Sequence, residues 1–284
     1  MQQVYANWAV VAGSQGSLSD VLALLEQPLP DEVESTPVTP IDFKELLEFS
    51  DVRFRYTDSG PWVLDGLTLN IPRGSRIGFM GSTGSGKSTA MDLIMALLDP
   101  TDGAILVDRR PITGHLRRAW QRTLAHVPQT IYLADASIAE NIAFGVPASA
   151  IDHNRVREAA EQAQIANFIE GRPGGYASVV GERGVRLSGG QRQRIGIARA
   201  LYKQASILIF DEATSALDST TEAAVLSAIE NLDRELTILI IAHRLTTLQG
   251  CDKIVLLGSG QIVAEGTYDE FCDEYPASDH VFKT

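Results

Sequence analysis

Arg76-Ile77-Gly78-Phe79-Met80-Gly81-Ser82-Thr83-Gly84-Ser85-Gly86-Lys87-Ser88-Thr89 is the stretch that decides how this chain folds. Its first five residues read as a short buried strand. Gly81 to Ser88 then fit the pattern G-x-x-x-x-G-K-[ST]. Beyond it Met91, Ile94, Met95 and Leu98 recur at helical spacing until Pro100 stops the run. Strand, glycine turn, helix is the context this pattern requires. A glycine-rich turn that matched by chance would lack both flanks.

The residue types have a chemical reason. Gly81, Gly84 and Gly86 open backbone angles closed to other residues, so successive N–H groups can turn inward around a phosphate chain. The helix beyond the loop aims the positive end of its dipole at that anion. Lys87 reaches the β- and γ-phosphates, and the Ser88 hydroxyl is a ligand for Mg²⁺. Gly81, Ser82, Thr83, Gly84, Ser85, Gly86, Lys87, Ser88 and Thr89 are therefore the expected contacts to a nucleoside triphosphate.

At 284 residues the chain can bury a sizeable core, as one large domain or two modest ones. A content of 44% apolar and 21% charged residues is that of a soluble globular protein. The net charge of −12 argues against a nucleic-acid partner held by a broad basic field. Arg109, Arg110, Arg117, Arg118 and Arg122 do cluster, but without interleaved aromatics they read as a solvated face. Cys251 and Cys272 have no metal-ligand partners at useful spacing and suit a reducing compartment. No apolar run approaches the ~20 residues of a membrane span, and residues 1–12 lack the basic start of a signal peptide.

Along the chain, Leu18, Val21, Leu22 and Leu25 form a helical stripe, with Ser17 as its expected N-cap and Pro28 as its end. Pro28, Pro30, Pro37 and Pro40 mark residues 28–40 as an extended linker. The helix either packs on the next domain or is the tail of something longer. From residue 41 the pattern changes. Residues 52–56 and 67–71 alternate as half-buried strands around Asp58-Ser59-Gly60-Pro61, which suits an antiparallel layer. Further strands are expected at 104–107 and 124–127. Residues 137–202 are mainly helical, with Ser137-x-x-Glu140 as a capping box and a periodic run over 155–170. Apolar strands return at 207–210, 237–241 and 253–257, with a helix over 219–232 between the first two. That is a βαβ unit with parallel strands buried on both faces.

Ile207-Leu208-Ile209-Phe210-Asp211-Glu212 ends a buried strand in two carboxylates. Alone these are solvated acids at a strand end. Beside a phosphate loop, Asp211 is placed near Mg²⁺, and Glu212 can orient or deprotonate an attacking water. Twenty residues earlier, Val185-Arg186-Leu187-Ser188-Gly189-Gly190-Gln191-Arg192-Gln193-Arg194 resembles the signature motif of ABC-type ATPases. Other motifs of that family then stand in order. Tyr56 resembles the aromatic that stacks on adenine, although Phe54 and Tyr56 also fit as β-layer residues. Gln129 in Val127-Pro128-Gln129 resembles the Q-loop, Ser215-Ala216-Leu217-Asp218 the D-loop, and His243 in Ile241-Ala242-His243-Arg244 the switch histidine. The resemblance covers residues 50–270.

It implies an α/β fold: a P-loop NTPase, RecA-like core sheet with an antiparallel β subdomain and an inserted α-helical subdomain at about 130–200. The ATPase domain would occupy residues 41–284, and residues 1–40 would be a helix and linker from the end of a membrane domain. ATP and Mg²⁺ are the implied cofactors, with Ser88, Gln129 and Asp211 at the metal. Glu212, His243, Gln129 and Lys87 are the implied catalytic group. Ser188, Gly189, Gly190 and Gln191 open a helix as a second anion site, and Asp218 belongs to the same seam. The family closes that seam by head-to-tail pairing of two ATP-binding domains, as a homo- or heterodimer. Gly181-Glu182-Arg183-Gly184 resembles the X-loop of exporters, and residues 131–145 resemble bacterial exporters of lipid-linked saccharides. An exporter motor is therefore implied, at the cytoplasmic face of the inner (plasma) membrane in the full-length protein and soluble as this fragment. Its transmembrane domain is the second implied partner. The alternative is a soluble, non-transport ABC ATPase, but the span from Lys87 to Asp211 shows none of the heptads that the repair type requires.

Overall fold

A computed structural model describes residues 2–26, 39–211 and 219–274. Contacts divide the chain into two units, Met1–Val38 and Thr39–Thr284. In the first, α1 (Gln2–Leu25) is one helix. Ser17, the expected N-cap, lies inside it. Residues 2–16 contain no proline, and Gly13 and Gly16 each cost only about 1 kcal/mol relative to alanine in a helix interior, too little to interrupt it. Pro28, Pro30 and Pro37 fall outside the described residues.

In the second unit the chain first builds an antiparallel layer. β1 (Leu46–Phe54) and β2 (Leu64–Pro72) pair with Phe49 opposite Leu69 and Phe54 opposite Leu64. The chain then leaves the layer through β3 (Arg76–Met80) and α2 (Lys87–Ile94). It returns with β4 (Asp102–Val107) and β5 (Arg110–Pro111), giving the order β2-β1-β4-β5. Alternation drives this: Leu47, Phe49, Val52 and Phe54 are buried, while the residues between them are half-buried or exposed.

α3 (His115–Thr123) leads into β6 (Leu124–Val127). The helical stretch holds α4 (Ile138–Ile142), α5 (His153–Gln162), α6 (Ala166–Glu170) and α7 (Gly189–Tyr202). The periodic run expected over 155–170 is broken between α5 and α6. There Gln164 takes a left-handed φ of +53°, and Ile165 turns back into the core. β7 (Ile207–Asp211), α8 (Ser219–Glu230), β8 (Thr237–Ile241), β9 (Lys253–Gly258), β10 (Gln261–Gly266) and α9 (Tyr268–Glu274) complete the chain.

Among the described residues the second sheet runs β10-β9-β3-β8-β7-β6, all parallel except β10, which pairs antiparallel with β9. Every residue of β3 and β8 is buried, as befits central strands covered on both faces. One core lies between the two sheets and contains Phe49, Leu69, Phe79 and Trp120. Trp120 is wholly buried, and its indole N–H donates to the Ile94 carbonyl at 2.6 Å, which fixes α3 against the end of α2. The other core joins the parallel sheet to the helical stretch through Leu133, Ile138, Val156 and Ile195.

Candidate nucleotide site

Sheet register gathers the expected site. Phe79 of β3 and Asp211 of β7 both pair with Ile241 of β8, and Phe210 pairs with Val127 of β6. Parallel strands lie about 4.8 Å apart, so Phe79, Ile241 and Asp211 form one row at the carboxyl edge, with Phe210 and Val127 one residue before it. Two residues past that row stand Gly81 beyond β3 and His243 beyond β8, and one residue past it stands Gln129 beyond β6. Ligands of open α/β sheets bind at this edge.

The loop after β3 is held open by its glycines. Gly81, Gly84 and Gly86 have φ of +146°, +82° and +103°, outside the range of ordinary side chains. A Cβ on Gly86 would stand 2.6 Å from Leu64 Cδ2, whereas Gly84 faces open space. Lys87 is 6% exposed, and its ammonium donates to the carbonyls of Gly81 at 2.7 Å and Ser82 at 2.9 Å. The Ser85 hydroxyl lies 3.5 Å from the same nitrogen. Ser88 and Thr83 are exposed. A cavity of about 430 Å³ is lined by Tyr56, Val63, Thr83, Gly84, Gly86, Lys87, Ser88, Thr89 and His243.

Tyr56 therefore borders the same cavity as the loop, two residues beyond β1. Its ring meets buried Phe54 edge-on, centroids 4.9 Å apart at 86°. Val63 is a lining residue that sequence reasoning missed; it sits just before β2, where only the strand pairing turns it toward the loop. A larger cavity, about 700 Å³ beside Phe144 and Tyr202, does not border the loop.

Ser188, Gly189, Gly190 and Gln191 stand elsewhere, at the N-terminus of α7, and none of them lines the loop's cavity. Ser188 and Gln191 form a capping box. The Ser188 N–H donates to Gln191 Oε1 at 2.9 Å, and the Gln191 N–H donates to Ser188 Oγ at 3.3 Å. Ser188 Oγ acts there as acceptor, so its own proton can be offered outward, and the residue is exposed. Glu212 and Asp218 lie outside the described residues.

The donor set suits Mg²⁺: an exposed Ser88 hydroxyl, the Asp211 carboxylate and the Gln129 amide are hard oxygen ligands. Among the described residues no three His, Cys, Asp or Glu side chains cluster as an all-protein metal cage. An ion held by these side chains would have phosphate oxygens completing its shell. Cys251 and Cys272 are free thiols, and burial, then the charge of Asp252, pushes Cys251 up to about 12.

A parallel sheet that delivers a glycine loop, its lysine and strand-end polar groups to one edge defines a P-loop nucleotide-binding domain. With the antiparallel layer and the inserted helices, its architecture is that of an ABC ATPase. The family model described as ABC transporter matches residues 64–215. This chain belongs to that family as an ATP-binding domain. It is 41% identical over 251 residues to an ATP-dependent lipid A-core flippase of Chromohalobacter salexigens, covering 88% of this chain and 43% of that protein. The flippase of Alkalilimnicola ehrlichii is 45% identical over 231 residues, covering 80% and 38%. A heterocyst differentiation ATP-binding protein of Nostoc is 38% identical over 274 residues, covering 96% and 45%. A solved structure of a bacterial Atm1-family ABC exporter with ATP bound superimposes with a TM-score of 0.79 at 34% identity, covering 94% of this chain and 47% of that one. The chain thus spans less than half the length of each of these proteins.

Proposed function

We propose that this chain hydrolyses ATP as the motor of an exporter. It pairs head-to-tail with a second ATP-binding domain around two Mg–ATP and drives a lipid or lipid-linked saccharide through a transmembrane domain. Residues 41–284 are the ATPase domain in this reading, with the helical subdomain at about 130–200. Residues 1–40 are the helix and linker from the membrane domain, which sets the motor at the cytoplasmic face. The lipid assignment draws on the names of the flippase relatives.

One observation carries the pairing. The exposed, capped N-terminus of α7 is built for an anion, yet its residues do not line the cavity of their own phosphate loop. A second copy brings its Ser188 and Gly190 to the γ-phosphate. Lys87 holds the β- and γ-phosphates, and Tyr56 stacks on adenine. Glu212 orients the attacking water, and His243 stabilises the charge that builds at the γ-phosphate as its phosphoryl group passes from ADP to that water. Ser88, Gln129 and Asp211 hold Mg²⁺, which when bound neutralises charge on the phosphate oxygens. Closure on ATP moves the membrane domains, and phosphate release reopens the pair.

Glu212→Gln tests this. The variant is expected to bind ATP, to run at twice the monomer mass with ATP present, and to lose nearly all turnover. Hydrolysis at the wild-type rate removes Glu212 from its role, and a monomer at saturating ATP removes the shared seam.

A further inference from the structure

Base and phosphate recognition sit on different sheets. Tyr56 leaves the antiparallel layer at the end of β1, whereas Lys87 opens α2 on the parallel sheet. A side-chain contact links the two recognition elements. The Tyr56 hydroxyl lies 3.3 Å from Thr89 Oγ1, two residues past Lys87. Thr89 is 7% exposed and Tyr56 is 63% exposed, so a buried hydroxyl tethers an otherwise solvated ring. Phe54, 6% exposed, supports that ring edge-on from below.

We propose that Thr89 is a positioning residue for the adenine platform, holding Tyr56 at a fixed reach from the phosphate loop. This deepens the reading that Tyr56 stacks on the base, and rests on it. An exposed tyrosine at a strand end otherwise samples several rotamers, and fixing it at the moment of binding weakens the complex. Phe54 restrains the ring at its edge, and Thr89 restrains its far tip. Together they hold the face toward the cavity before ATP arrives. Stacking itself reads only a π-face and accepts any base, so the tether sets how far base and phosphates are held apart and leaves the identity of the base unread.

A double-mutant cycle on the purified chain tests the tether, with ATP and inorganic tripolyphosphate as titrants. Tyr56→Phe and Thr89→Val each remove the contact and keep the side-chain shape. Each is expected to raise the Kd for ATP by about 3- to 10-fold, the size of one weak hydrogen bond. The double variant is expected to lose no more than either single one, Thr89→Ser to restore wild-type affinity, and tripolyphosphate to bind Tyr56→Phe and the wild type alike. Additive losses overturn the proposal, because Thr89 then acts on the triphosphate, where it is itself an expected contact, and not through Tyr56. Unchanged ATP affinity in Tyr56→Phe overturns it as well. Tyr56→Ala separates the two levels. If it binds ATP as the wild type does, the stacking reading fails; if it binds weakly while the single variants are additive, only the tether fails.

Discussion

The Lys87 ammonium lies 2.7 Å from the carbonyl oxygen of Gly81, six residues behind it in the same loop. A cation 6% exposed must be compensated, and here the loop's own carbonyls take part, with Ser82 at 2.9 Å. The lysine thus shapes the loop that it later shares with the phosphates. Lys87→Ala is expected to weaken ATP binding by about 10- to 100-fold, the range of a charge-assisted hydrogen bond. It should also lower the melting temperature of the unliganded chain by a few degrees, on the order of 1 kcal/mol. Calorimetric titration and a thermal scan check both; undiminished ATP affinity would show that the ammonium makes no phosphate contact.

Asp108 ties the start of β1 to the end of β4. Its carboxylate accepts the backbone N–H groups of Lys44 at 2.9 Å, Glu45 at 2.9 Å and Leu46 at 3.0 Å. Burial pushes this carboxyl up, but the three N–H donors, with the Lys44 charge, outweigh it and hold the group below its ordinary 3.8. The unfolded chain therefore binds this proton more tightly than the folded one. The stabilisation is complete above about pH 4 and disappears as pH falls through the lowered folded value. Asp108→Asn is expected to cost about 1 kcal/mol at pH 7 and less at pH 3, read from urea midpoints at the two pH values. A difference that stayed constant or grew on acidification would remove the charge from the account.

The site was legible where one local pattern meets one local geometry. Positive φ at Gly81, Gly84 and Gly86 is what the glycines of the loop were read to permit. The convergence of Gly81, His243 and Gln129 depends instead on strand register, with Phe79 and Asp211 both opposite Ile241, and no spacing along the chain encodes that row. Edges were least legible. β10, Gln261–Gly266, alternates exposed and half-buried residues and is held by pairing with β9, and its apolar run is only Ile262-Val263-Ala264, too short to mark a strand. The break at Gln164 escaped for the converse reason, because the apolar series Val156, Ala159, Ala163 and Phe168 runs across it although the backbone turns left-handed there. Ser17 failed as a boundary because a good cap residue inside a propensity-favourable run caps nothing.

Arg199 fastens the signature helix α7 to α4, and its chemistry sets an order among substitutions. Nε donates to the Asn141 carbonyl at 2.9 Å, and Nη2 reaches Asn141 Oδ1 at 3.4 Å. The guanidinium plane lies 4.6 Å from the centroid of the half-exposed Phe144 ring. Among the described residues it has no carboxylate partner, and burial lowers its pKa. The fork and the stacking are what offset that burial, and a lysine offers neither the second donor in plane nor a flat face. Arg199→Lys keeps the desolvation cost and loses most of the compensation, so it is expected to destabilise the chain by about 1–3 kcal/mol. Arg199→Met fills similar volume without a charge to desolvate, and should lose less than the lysine variant. Denaturant midpoints rank the three proteins. A lysine variant as stable as the wild type would mean that the guanidinium serves only as a point charge, and that α7 is held to α4 by apolar packing alone.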